Sequence, residues 1–105
     1  MNFNDYLASF PAVDHLSGLN VLDESGSVIH HIPAIAGKLC SLKLYNALAE
    51  RFDGSLHAQA AEQGLLWFAE HVADAKVHSG KHPNVDLLLL VQAEQKQYRL
   101  QPAAV

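Results

Sequence analysis

Apolar residues recur along this chain with two different periods, and these periods divide it into helices and strands. Spacings of three and four residues, typical of one face of a helix, occur in three segments. Four other segments are rich in β-branched or continuous apolar residues and are bounded by turn-forming residues, as strands are. The pattern predicts the element order α-β-β-α-α-β-β.

The chain is predicted to begin with a short helix and a hairpin. The helix covers residues 3–10 and ends before Pro11, which fits poorly inside a helix. Strands over 16–23 and 27–32 flank the turn sequence DESGS, whose glycine suits a tight turn.

Two amphipathic helices are predicted in the middle of the chain. The first covers 38–52 and is terminated by Asp53-Gly54. The second is capped by Ser55 and extends to about Lys76. Gly64 lies inside the second helix at a cost of about 1 kcal/mol relative to alanine, so we expect it to permit a close crossing against the first. Their apolar faces consist of Leu39, Leu42, Tyr45, Leu48, Ala49 and Phe52 in the first, and Leu56, Leu65, Phe68, Ala69 and Val72 in the second.

The C-terminal part is predicted to form a second hairpin. The segments VDLLLLVQA and KQYRLQ are separated by the polar pair Glu94 and Gln95. The predicted fold is therefore a single α+β domain over residues 1–105. It has a four-stranded, mainly antiparallel sheet of two hairpins, with the two central helices packed on one face.

The leucine run from Leu87 to Val91 predicts an interface. As a strand it places apolar side chains on both faces of the sheet, with Leu88 and Leu90 facing away from the helices. A large apolar patch on the surface usually marks an interaction site, so we expect a homodimer or a protein partner to cover these leucines. The alternative is that the N-terminal segment and loops cover them.

Charge and hydropathy exclude some partners. Eleven acidic residues against seven basic ones give a net charge of −4, which disfavours nucleic acids and acidic membrane surfaces. Residues 1–37 contain no Lys or Arg, so we expect no signal peptide. The longest apolar run, Leu87–Val91, is far shorter than the ~20 residues of a membrane-spanning helix.

Cys40 is the single cysteine of the chain. One cysteine allows neither an intrachain disulfide nor a four-cysteine zinc site, and a reducing cytoplasm is the expected location. Because it lies within an apolar helical pattern, Cys40 is predicted to be a small core residue.

Three of the seven histidines lie close together in the segment HVADAKVHSGKH. If the second central helix continues through residue 78, His71, Asp74 and His78 share one face, and His82 can fold back from the loop. Imidazoles and a carboxylate around one point are ligands for zinc or nickel. The alternative is a solvent-facing helix end, where histidines interact favourably with the helix dipole.

Two functions fit these observations. The first, which we favour, is a small cytoplasmic interaction or accessory module that acts as a homodimer and has no cofactor and no catalytic chemistry. The second is a metal-binding protein or metal-dependent enzyme built on the cluster around His71, Asp74 and His78. No GxSxG, GxGxxG, phosphate-loop or EF-hand pattern supports another class of enzyme or binding protein.

Overall fold

The periodicities of the sequence produce five helices and four strands in the computed structural model, which describes all residues 1–105. In chain order the elements are α1 (Phe3–Ala8), β1 (Leu16–Leu22), β2 (Val28–Pro33), α2 (Leu39–Arg51), β3 (Ser55–Leu56), α3 (Ala58–Phe68), α4 (Glu70–Val77), α5 (Pro83–Glu94) and β4 (Tyr98–Ala104). The predicted α+β class with a four-stranded antiparallel sheet is confirmed.

The four strands lie in the order β2-β1-β4-β3. The predicted first hairpin is present, with Leu19 paired with Ile32, and β4 lies on the other side of β1. Leu19 and Val21 alternate with more exposed neighbours and are fully buried beneath α2, which packs across all four strands. The opposite face of the sheet carries polar side chains, among them Asn20 and exposed His31, whose Oδ1 and Nδ1 lie 2.6 Å apart.

The second predicted hairpin is wrong, because VDLLLLVQA lies in α5 and not in a strand. A run that is apolar at nearly every position fits a buried helix as well as a buried strand, and Pro83 in the first turn favours the helix. Leu88 is fully buried in the core, and Leu90 is 38% exposed on the helix surface. Neither side chain lies on the outer face of the sheet, so the predicted placement of these leucines is also wrong.

The predicted single helix from Ser55 to Lys76 is divided into three elements. Ser55 lies in β3, and the N-cap of α3 is His57, whose Nδ1 accepts the Ala60 N–H at 3.2 Å. The helical path then breaks at Ala69, where φ is +52°, and a separate helix, α4, begins at Glu70. Beyond this break, the ring of His71 in α4 contacts Phe3 of the N-terminal helix α1.

Gly64 lies where α3 closely approaches both α2 and α5. A Cβ atom added there lies 2.9 Å from Leu48 Cδ1 of α2 and 2.6 Å from Leu88 Cδ1 of α5. The predicted close approach to the first central helix is confirmed, and α5 makes a second one. No helix in the structure has both the length and the apolar character needed to span a membrane.

Candidate functional site

The starts of α2 and α5 converge on an open cavity of about 200 Å³, closed on the other sides by α1, the end of α3 and the start of α4. We call it the basic cavity. Four of its lining residues have basic side chains, and three others carry polar groups. These are Lys38, His71, Lys81 and His82, together with Cys40, Ser41 and Asn84.

The residues that line the basic cavity differ from the composition of the whole protein. No Asp or Glu lines it, although acidic residues outnumber Lys and Arg by eleven to seven along the chain. Each of the other four cavities on the surface has at least one carboxylate in its wall. The basic cavity is therefore the one surface cavity whose wall has basic side chains and no carboxylate.

A repeated local sequence builds both helix starts. Gly37-Lys38 precedes α2 and Gly80-Lys81 precedes α5, and both glycines have a φ near +90° that other residues rarely adopt. Neither helix has a side-chain cap, and the backbone N–H groups of Cys40, Ser41 and Asn84 have no acceptor within the protein. The positive ends of two helix dipoles thus face the same cavity with unused donors.

Asn84 supplies a fixed side-chain donor. It is only 7% exposed, its Oδ1 lies 2.7 Å from His30 Nε2, and its backbone carbonyl accepts the Tyr45 hydroxyl at 2.6 Å. Burial raises the pKa of Tyr45, so this hydroxyl keeps its proton. With Oδ1 beside His30 Nε2, the Asn84 amide nitrogen has no hydrogen-bond partner within the protein, and Asn84 lines the cavity.

Asp74 lies outside the cavity wall and contacts two of the basic residues that line it. Its Oδ2 lies 2.5 Å from His82 Nε2 and 3.2 Å from Lys81 Nζ, while Asp74 itself does not line the cavity. The hydrogen bond from His82, followed by that from Lys81, holds the pKa of Asp74 below its usual range. The carboxylate therefore orients these side chains without entering the site.

His71 is fixed by α1. Its ring meets the Phe3 ring edge-on at 4.7 Å between centroids, and Phe3 stacks on Phe68 at 5.4 Å. The Phe3 backbone N–H donates to Glu70 Oε1 at 2.9 Å, and this bond lowers the pKa of the Glu70 carboxyl. The centroids of the His71 and His82 rings are 5.5 Å apart, so both imidazoles belong to one wall.

The predicted metal ligands are only partly brought together. Asp74 reaches His82 and, at 3.7 Å, the exposed His78, which caps the end of α4. His71 contacts the His82 ring. No group of three or more His, Cys, Asp or Glu side chains is arranged to hold a metal ion. The zinc or nickel site stays a prediction that this geometry does not support.

Several cavity residues escaped the sequence analysis. Lys38, Ser41 and Asn84 have no motif of their own, and only the repeated Gly-Lys before two helices signals their place. Cys40 was predicted to be a core residue, which is wrong: it is exposed in the first turn of α2 and lines the cavity. Cys40 is exposed because it lies in the first turn of α2, whereas residues of the apolar pattern further along the helix are buried.

Comparison with known proteins places the chain without assigning an activity. The family described as uncharacterized protein conserved in bacteria (DUF2322) matches residues 3–102. No curated protein and no solved structure matches the chain.

Proposed function

Since the chain belongs to the DUF2322 family, whose description names no ligand, we propose a function from its own geometry: the protein binds a small anionic ligand, through a carboxylate or phosphate group, in the basic cavity. The observation that carries this proposal is a wall with four basic side chains and no carboxylate in a protein of net charge −4.

The unused donors strengthen the proposal. Two uncapped helix starts and the Asn84 amide are the groups that bind anions elsewhere in proteins, because their N–H bonds need an acceptor and the helix dipole favours negative charge. Asp74 and Tyr45 hold the site in place before a ligand arrives, which lowers the entropy lost on binding. We propose binding without catalysis, in keeping with the accessory role expected from the sequence, and a cytoplasmic location.

Calorimetric titration with inorganic phosphate and with acetate tests this function. We expect saturable binding, weakened about tenfold or more in Lys38→Gln and Lys81→Gln, because each substitution removes a charged hydrogen-bond donor. Lys96→Gln is the matched control, since Lys96 pairs with Glu94 away from the cavity. Absence of saturable binding, or an equal loss in the control, contradicts the proposal.

A homodimer is the second candidate function, now on different residues. With Leu88 in the core, the observation in its favour is the edge strand β2, where Val28 is 56% and Ile29 43% exposed beside an uncovered sheet face. Sedimentation velocity tests it. We expect a dimer that Ile29→Lys converts to a monomer, and a monomeric wild type at high micromolar concentration contradicts it.

The metal hypothesis has its own test. Zinc and nickel titrations of wild type, His78→Ala and His82→Ala distinguish a shared site from separate surface histidines. A shared site requires that both substitutions abolish binding.

A further inference from the structure

We propose that the ligand of the basic cavity is an anionic amphiphile whose aliphatic chain lies in the adjoining groove between α1 and α2. This inference rests on the proposed function, because it takes the anion site as the place of the head group. It adds the chemical class of the rest of the ligand.

The groove has a volume of about 460 Å³. Small-molecule sites usually have volumes of roughly 300–1,000 Å³ and mostly apolar walls. Seven of the nine lining residues are hydrophobic, and the two charged ones, Asp14 and Lys43, balance each other. Its apolar wall includes Leu7, Ala12, Val13, Leu16, Ala34 and Leu39. This wall suits a hydrocarbon chain and offers little to a second charged group.

The groove and the basic cavity adjoin. Cys40 lines both, at the first turn of α2. On α1, Phe3 lines the cavity and Leu7 lines the groove, and residues four apart lie on one helix face about 6 Å from each other. A head group among the basic side chains therefore places its chain at the entrance of the groove.

Exposure and charge select this groove over the other mainly apolar one. Leu39, the first residue of α2, lines the groove and is 46% exposed, so a chain lying there removes apolar surface from water. The groove beside α3 and α4 is larger, about 640 Å³, but its only charged lining residue is Glu62. It offers no cation for the head group of an amphiphile.

Calorimetric titration with acetate, butanoate, hexanoate and octanoate, below micelle-forming concentrations and at constant ionic strength, tests the inference. We expect each methylene that enters the groove to raise affinity about fourfold, the fold-change that corresponds to ~0.8 kcal/mol. Octyl phosphate in a parallel titration shows whether the cavity prefers a phosphate or a carboxylate head.

Two substitutions locate the chain. Ala34→Phe fills the groove and Leu39→Ser removes an exposed part of its wall, so both should reduce the dependence on chain length while acetate and phosphate bind as in wild type. Ala36→Phe is the matched control, because Ala36 is exposed in the same loop and lines neither site. Leu39→Ser, at an exposed position, keeps the test valid if Ala34→Phe does not fold.

The outcomes separate the two proposals. If acetate and phosphate bind and depend on Lys38 and Lys81, but octanoate binds no more tightly than acetate, the amphiphile is wrong and the anion site stands. If octanoate binds tightly but Lys38→Gln leaves its affinity unchanged, its head group lies elsewhere and the inference is wrong. If no anion binds, both proposals fail.

Discussion

The packed centre of this protein, formed by Gly64, Leu48 and Leu88, and its basic cavity are built from the same helices in opposite ways. At the centre, α3 approaches α2 and α5 so closely that a single added methyl group meets leucine side chains within 3 Å. At the cavity, the starts of α2 and α5 leave about 200 Å³ of space lined by polar groups. The helices α2 and α5 therefore pack tightly against α3 at Leu48 and Leu88, and leave an open cavity at their starts.

The two regions differ in the interactions that they offer, which are apolar burial at the packed centre and unsatisfied hydrogen-bond donors at the basic cavity. At the packed centre, burial of apolar surface and close packing stabilise the fold, and polar groups are absent from the contact. At the basic cavity, backbone N–H groups of Cys40 and Asn84 have no acceptor in the protein, and binding can satisfy them. Substitutions at the centre should change stability, and those at the cavity should change binding more than stability.

Leu88→Ala should give the largest effect on stability. Leu88 is fully buried against Gly64, so its truncation leaves a cavity and should lower the free energy of unfolding by about 2–5 kcal/mol. Leu90→Ala, on the same helix but 38% exposed, is the control and should cost much less. Urea unfolding measures both. Equal losses would falsify the assignment of Leu88 to the packed centre.

Tyr45→Phe should affect both regions. The fully buried Tyr45 hydroxyl donates to the Asn84 carbonyl, and loss of this buried hydrogen bond should cost about 0.5–1.5 kcal/mol. Because Asn84 also lines the basic cavity, phosphate affinity should fall together with stability. Tyr6→Phe, at a half-buried position on α1, should leave both unchanged. Loss of stability with unchanged affinity would show that Asn84 does not depend on Tyr45.

The two regions also differ in what the sequence could predict. The core faces of α2 and β1 follow from spacing, because Leu42, Tyr45 and Leu48 recur at three-residue intervals and are all buried. In α5 the spacing fails, since leucine occupies four consecutive positions and no period separates helix from strand. Leucine is a better helix former than the β-branched residues typical of strands, and this propensity favours the helix that the structure shows.

The basic cavity was hidden for a different reason. His71 and His82 were candidate site residues because they are close in sequence. Lys38 and Cys40 line the same cavity but belong to a helix start far earlier in the chain. Only tertiary packing, in which α2 and α5 both contact α3, brings the two helix starts to one cavity. The sequence could show two helix starts, each preceded by Gly-Lys, but not that the two starts meet.

Gly64→Ala sharpens the comparison at the packed centre itself. The added methyl group should overpack against Leu48 and Leu88 at a cost of about 1–3 kcal/mol. Alanine's better helix propensity recovers up to about 1 kcal/mol of this. We therefore expect a modestly lower melting temperature, with Glu62→Ala, exposed on the same helix, as the control. A higher melting temperature for Gly64→Ala would show that the crossing has room for a methyl group.

Asp74→Asn should give the smallest change in stability and a dependence on pH. The pKa of Asp74 is lowered in the folded protein, first by the hydrogen bond from His82, so its ionised form stabilises the fold above the ordinary carboxyl pKa. That contribution is lost as pH falls through the lowered pKa. The urea midpoint of wild type should exceed that of Asp74→Asn at pH 6, and the difference should shrink toward pH 2.5. Glu94→Gln, which removes another exposed carboxylate paired with a lysine, controls for the general effect of surface charge. If the difference between wild type and Asp74→Asn stays constant down to pH 2.5, the ionised carboxylate is not what stabilises this wall of the cavity.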